Sequence, residues 1–276
     1  MRPALKLTLA VAVAIAVAVT AAVVVLGDPR GWWMADHHDE LAGLTPQPGP
    51  SAEAEDESSP PRDALDVNSS TVLTEAEDTW TPIFAEESDT YIPPRLRYFD
   101  GTTRSGCGDA VVGDGTFYCA PDRRLYIDKD FHHGMEERGA PAGSLAHAYV
   151  IAHSIGHHVQ NLRGIEDRVR RLEATLGASD RKALRVRTEL QADCFAGIWA
   201  HSARSGKAAI KPAELEQALS LPASIGIELV KRHEPGVIVP DTFAHASLAQ
   251  RRYWFKTGYK TGLVKACDSF TAPAPP

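Results

Sequence analysis

His153 and His157 stand four residues apart in Tyr149-Val150-Ile151-Ala152-His153-Ser154-Ile155-Gly156-His157-His158. On a helix that spacing places both imidazoles on one face, where they can reach the same ion. The chemistry it points to is metal-assisted hydrolysis: paired histidines hold zinc, and a glutamate directly after the first takes a proton from water. Here the metal-binding half of that pattern is present and the proton-handling half is not, because Ser154 follows His153.

Catalytic zinc has three protein ligands and one open position, so a third donor is required. The segment Thr188-Glu189-Leu190-Gln191-Ala192-Asp193 offers two carboxylates, Glu189 and Asp193, at the same i, i+4 spacing. One carboxylate on the metal and the other on a histidine's free N–H make a coherent pair of roles. Such pairs are often no more than polar faces of solvated helices. These, however, sit in apolar segments, among Val150, Ile151 and Ala152 and before Phe195, Ile198 and Trp199. Burying four polar groups there without a partner is costly, and one metal ion satisfies them together. Ser154 cannot replace a carboxylate base near neutral pH, and losing general acid–base catalysis costs about 10²–10⁴-fold in rate. His158 points about 100° away round the helix from His157. A carboxylate from elsewhere, such as Asp128, is the remaining candidate base.

These residues must be positioned by a helix-dominated scaffold. Thr74 with Glu77 three residues on reads as a capping box, predicting a helix over 74–87. Short aromatic and β-branched runs at 96–99, 115–119 and 125–128 predict a small antiparallel sheet. Helices are then expected over 144–162, with Gly164 past its end, from 166 to Gly177, from Asp180 to about 205, over 212–220, over 224–232 and over 243–259. The class is α+β.

Residues 1–27 contain an uncharged Ala/Val-rich run, 7–27, long enough to cross a bilayer once. Arg2 and Lys6 precede it, so the positive-inside rule places the remainder outside the cytoplasm, as a single-pass cell-membrane protein. A cleaved signal peptide, cut near Val19-Thr20-Ala21, is the competing reading. Residues 28–70 are rich in Pro, Ser, Asp and Glu and read as a disordered linker, leaving 71–276 as the folded domain. The formal net charge of −7 argues against nucleic acid as a partner. Arginines and lysines crowding 163–187 read as solvated helix faces or, alternatively, as contacts to anionic lipid. Four cysteines in an exported chain read as two disulfides, with three possible connectivities. The simplest joins Cys107 to Cys119 across a turn at 112–115 and Cys194 to Cys267. The shorter closed loop would contribute about 3 kcal/mol in the chain-entropy model.

Several blocks, in order from about Tyr98 to Phe270, resemble the bacterial putative neutral zinc metallopeptidases, which are similar to gluzincins. They are residues 149–161, residues 189–197, the Cys107-Gly108 to Cys119 hairpin with Tyr126-Ile127-Asp128, and Gln250-Arg251 through Tyr259. The resemblance implies a zincin-like domain binding Zn2+ through His153, His157 and Glu189, with Asp193 orienting one histidine. It also implies that the family's general base stood at the position of Ser154. His245, in His245-Ala246-Ser247, departs from the family's His-Gly; it either helps hold a tetrahedral intermediate or caps a helix. The expectation is a membrane-anchored, extracytoplasmic zinc-metallopeptidase-like protein, hydrolytically impaired, that binds a peptide or protein. An active endopeptidase with a displaced base is the alternative, and a metal-free structural domain the third reading.

Overall fold

In the computed structural model the described residues are 64–110, 115–204, 209–233 and 246–271, the side chains of 223 and 225–233 excepted. The expected membrane segment 7–27, most of the linker, the turn at 112–114 and His245 lie outside them. Among the described residues no helix is long and apolar enough to cross a membrane.

Helix α1 (Ala64–Glu86) starts earlier than the capping box predicts. Thr74 is mid-helix, its hydroxyl donating to the Ser70 carbonyl at 3.0 Å. Ser69 and Thr71 likewise return their hydroxyls to the carbonyls four residues back, which lets a Ser/Thr-rich stretch stay helical. The reason it does is burial: Leu65, Val72, Ala76, Trp80 and Phe84 form one apolar stripe. Trp80 meets Phe195 edge-on at 5.3 Å. This helix therefore reaches into the stretch 28–70 that reads as linker.

Among the described residues five strands follow: β1 (Arg95–Phe99), β2 (Thr103–Ser105), β3 (Gly108–Ala110), β4 (Phe117–Cys119) and β5 (Arg124–Asp128). The expected all-antiparallel sheet is corrected here. The main sheet has order β1-β5-β4, with β1 parallel to β5 and β4 antiparallel to it. The chain between β1 and β5 turns back twice, so those two strands run the same way. The expected hairpin from Cys107 to Cys119 is also replaced, because β3 pairs with β2 in a separate two-stranded ribbon. Disulfide Cys107–Cys119 ties the ribbon's tip to β4, and Cys194–Cys267 closes the second bridge, so the simplest connectivity is the one present.

Among the described residues six further α-helices follow: α2 (Lys129–Glu137), α3 (Leu145–Leu162), α4 (Ile165–Glu173), α5 (Ala178–Ala203), α6 (Pro212–His233) and α7 (Leu248–Thr261). Helix α2 was not legible from periodicity; Asp128 caps it, accepting from the Asp130 and Phe131 amides at 3.0 and 3.4 Å. Helix α6 runs unbroken through Pro222 where two helices were expected. Helix α3 is buried almost all round and forms the centre of the fold. Two close approaches fix its neighbours. A Cβ at Gly156 would stand 2.8 Å from the Ala192 carbonyl oxygen, so glycine lets α5 lie against α3. Gly197 and Gly258 face each other's helices in the same way, pressing α7 onto α5.

Beneath the sheet, His147 Nε2–H donates to the Ala140 carbonyl at 2.9 Å, leaving its Nδ1 as an acceptor. His132 Nδ1–H donates to that atom at 3.0 Å, and the Thr116 hydroxyl completes the chain to His132 Nε2 at 2.8 Å. One carbonyl thus fixes both tautomers. Burial pushes His132 down to about 3 and His158 down to about 4, and lowers His147 as well. These rings stay neutral in the folded chain while the unfolded chain takes up protons below about pH 6.5. Stability is therefore full above that pH and falls on acidification, by about 1.4 kcal/mol per pH unit for each such group, until the folded values are reached. Urea denaturation at pH 7 and pH 5 should show this loss, and equal midpoints would refute it.

Candidate metal centre

Helix α3 carries His153 and His157 and helix α5 carries Glu189 and Asp193, brought face to face by the Gly156–Ala192 contact. His153 Nε2 lies 3.2 Å from His157 Nε2 and 3.2 Å from Glu189 Oε2, and His157 Nε2 lies 3.5 Å from the same oxygen. Donors bound to a tetrahedral zinc at about 2.0–2.1 Å stand about 3.3 Å from one another. The spacing therefore fits a zinc ion.

Each ring's other nitrogen is already committed. His153 Nδ1–H donates to Asp193 Oδ1 at 3.0 Å, and His157 Nδ1–H to Gln160 Oε1 at 2.9 Å. With those protons placed, two bare Nε2 lone pairs and a carboxylate oxygen converge on one point, an arrangement that requires a cation. A single proton can serve in part. Burial disfavours the His157 imidazolium, but Glu189 outweighs it and lifts His157 to about 9. Glu189 is correspondingly held below the usual carboxylate range: its burial is overcome by the charge of His157 and by hydrogen bonds from both rings. A divalent metal answers all three donors at once.

Behind His153, Asp193 is fully buried and triply engaged. Besides the ring it accepts from the Tyr149 hydroxyl and, at 3.2 Å, from Arg251 Nε of helix α7. A guanidinium N–H of Arg251 also donates to the Tyr149 oxygen at 2.6 Å. Burial works against both charges, but each stabilises the other, raising Arg251 and lowering Asp193. Removing the cation should leave an uncompensated buried carboxylate, so Arg251→Leu is expected to cost about 3–5 kcal/mol. An unchanged denaturation midpoint would show that the pair is dispensable.

The ligands open onto a cleft of about 560 Å³ whose far wall is the β2–β3 ribbon and whose side is β4, an edge strand of the main sheet. Ser154 also lines it, though only 1% exposed. Its hydroxyl faces the Thr116 carbonyl at 3.1 Å and the Val150 carbonyl at 3.0 Å, and no base stands against it among the described residues. His158 faces away, donating to the Ile92 carbonyl at 2.7 Å and packing on Tyr91 and Tyr118. Asp128, as the α2 cap, is not part of the cleft wall. His245 lies outside the described residues. The arginines beside the site are largely committed: Arg163 pairs with Glu87, Arg185 with Glu173, and Arg187 donates to the Ser269 and Phe270 carbonyls.

The structure thus unites His153, His157, Glu189 and Asp193 and adds residues that sequence reading missed. Tyr149 carried a faint signal, one helical turn before His153. Gln160 stood at i+3 from His157. Arg251 lies at the start of one of the blocks of resemblance, but no spacing linked it to the site, since its partner is 58 residues away.

The sequence model of the family described as "putative neutral zinc metallopeptidase" matches residues 8–270. The uncharacterized protein YpfJ of Escherichia coli (strain K12) is 39% identical over 232 residues, covering 84% of this chain and 80% of that protein. The uncharacterized protein Rv2575 of Mycobacterium tuberculosis (strain ATCC 25618 / H37Rv) is 37% identical over 203 residues, 70% of this chain and 66% of its own. No solved structure matches. With nearly the whole chain matched and a triad of donors at zinc spacing, this protein belongs to the putative neutral zinc metallopeptidase family.

Proposed function

We propose that this chain is an extracytoplasmic, membrane-anchored zinc protein of the peptidase type that binds peptide in the cleft but is impaired in hydrolysing it. The observation that carries the reading is the convergence of two imidazole nitrogens and a carboxylate oxygen, at 3.2–3.5 Å, beside a serine where the base belongs. Zinc, when bound, supplies a Lewis acid. His153, His157 and Glu189 would hold it, and Asp193 would keep His153 oriented through Nδ1. The edge strand β4 beside the cleft suits an extended peptide added as a further strand. Ser154 contributes a hydroxyl with no carboxylate's basicity, so proton removal is the missing function. The anchor reading rests on the apolar run 7–27 behind Arg2 and Lys6. Metal analysis of the purified chain, with cleavage of an unstructured peptide library, tests the proposal. Stoichiometric zinc with no cleavage is expected; absence of zinc refutes the site, and robust cleavage refutes the impairment.

One observation favours the alternative of an active enzyme with a displaced base. Among the carboxylates lining the cleft, Asp109 is paired with Arg104 and Glu173 with Arg185. Glu166, in the first turn of α4, is left without an ion pair among the described residues. Burial raises its carboxyl against the pull of His157, which suits proton exchange. If the chain cleaves peptide, Glu166→Gln should abolish that cleavage; survival of the activity would eliminate this route.

A further inference from the structure

His157 meets its partners through a run of buried amides. Its Nδ1–H donates to Gln160 Oε1 at 2.9 Å, which orients the Gln160 amide so that Nε2 points the other way. That nitrogen donates to the Thr188 carbonyl at 2.8 Å and to Gln191 Oε1 at 3.0 Å. Gln191 Nε2 in turn donates to the Cys267 carbonyl at 3.1 Å. Both glutamines are completely buried. Every member therefore has its donor and acceptor assigned by the next, and the direction of the whole run is set by one backbone carbonyl that can only accept.

That carbonyl is itself held in place. Cys267 is bonded to Cys194 on α5. The Ser269 hydroxyl donates to the Arg187 carbonyl at 2.6 Å, while Arg187 reaches back to the Ser269 and Phe270 carbonyls. The C-terminal segment is thus clasped to the same helix that carries Glu189.

We propose that Gln160 and Gln191 are positioning residues for the metal centre. They form an amide relay, closed by the Cys267 carbonyl, that holds His157 with its Nδ1 protonated and its Nε2 lone pair turned to the ion. Asp193 does this for His153 with a charge; the relay does it for His157 without one. The difference has a chemical consequence. A second buried carboxylate behind the site would add negative charge to a cluster that already contains Glu189 and Asp193, whereas a neutral amide fixes the ring without adding any. The proposal rests on the reading of the triad as a zinc site, and its test separates the two.

The tautomer of His157 is read first in the zinc-free protein, by two-bond ¹H–¹⁵N correlation at alkaline pH where the ring is neutral. The parent should show Nδ1–H alone. Gln160→Met, similar in volume but unable to accept, should show a mixture of tautomers and bind zinc about 10–100-fold more weakly. Gln160→Glu restores an acceptor for Nδ1–H and should return the single tautomer and keep zinc affinity within about tenfold of the parent. Gln191→Met, one step removed, should shift the tautomer in the same direction as Gln160→Met. If Gln160→Met lowers only the melting temperature, leaving tautomer and zinc affinity as in the parent, the relay is merely structural and the proposal falls. Equal zinc loss in the Met and Glu variants overturns it too. A parent that takes up no zinc yet shows the tautomer shift refutes the zinc reading while leaving the positioning of His157 intact.

Discussion

Glu189→Ala is expected to abolish tight zinc binding. The loss of an outer partner of a metal ligand alone typically lowers affinity about 10–100-fold, and this substitution removes a ligand, so its effect must exceed that range. Two histidines would remain, 3.2 Å apart at Nε2, with no anion beside them. His153→Ala should be as severe, because it also leaves Asp193 facing an empty space inside the core. The measurement is zinc content after dialysis, followed by competition with a chromophoric chelator. A stability readout accompanies it. Free zinc at about one hundred times Kd stabilises a folded state by about 2.7 kcal/mol. The parent should therefore gain melting temperature with added zinc, and Glu189→Ala should not. Equal zinc uptake by parent and variant would show that the three donors are not the site.

Ser154→Glu is expected to raise peptide hydrolysis by about 10²–10⁴-fold, the usual contribution of a positioned acid–base group. That corresponds to roughly 3–5 kcal/mol of barrier. Ser154 is buried but borders the cleft of about 560 Å³, the space toward which a longer side chain must turn from the Thr116 and Val150 carbonyls. It stands next to His153 in sequence and one helical turn from the Val150 carbonyl, on a helix buried almost all round. The assay compares parent and variant, zinc-loaded, on a quenched fluorescent peptide, with Ser154→Gln as a control of equal size and no basicity. Activity in the Glu variant alone would show that the remaining machinery is intact and that one side chain separates this chain from a working hydrolase. Equal inactivity of both variants would mean that the cleft has lost more than its base.

The sequence by itself determined the local half of this centre. Helix geometry turns an i, i+4 spacing into a shared face without any help from the rest of the chain, so the His153/His157 and Glu189/Asp193 pairs were legible as they stood. The apolar flanks of both pairs announced their burial, and the cysteine count implied two bridges, whose pairing among three connectivities the structure decided in favour of the simplest. Where local signals misled, burial was the reason. Thr74 has the chemistry of a cap, but the stripe from Leu65 to Phe84 extended the helix past it. The short strands carried no information about partner or direction, since a three- to five-residue run pairs equally well either way until the chain's path decides. Hence the parallel β1–β5 contact and the separate ribbon emerged only in three dimensions. The same holds for everything that stands behind the ligands. Arg251 reaches Tyr149 across 102 residues of sequence, and Gln191 reaches the Cys267 carbonyl across 76. No periodicity encodes such distances. They are set by close backbone approach, at Gly156 against Ala192 and at Gly197 and Gly258 between α5 and α7, where only the absence of a side chain lets the helices meet.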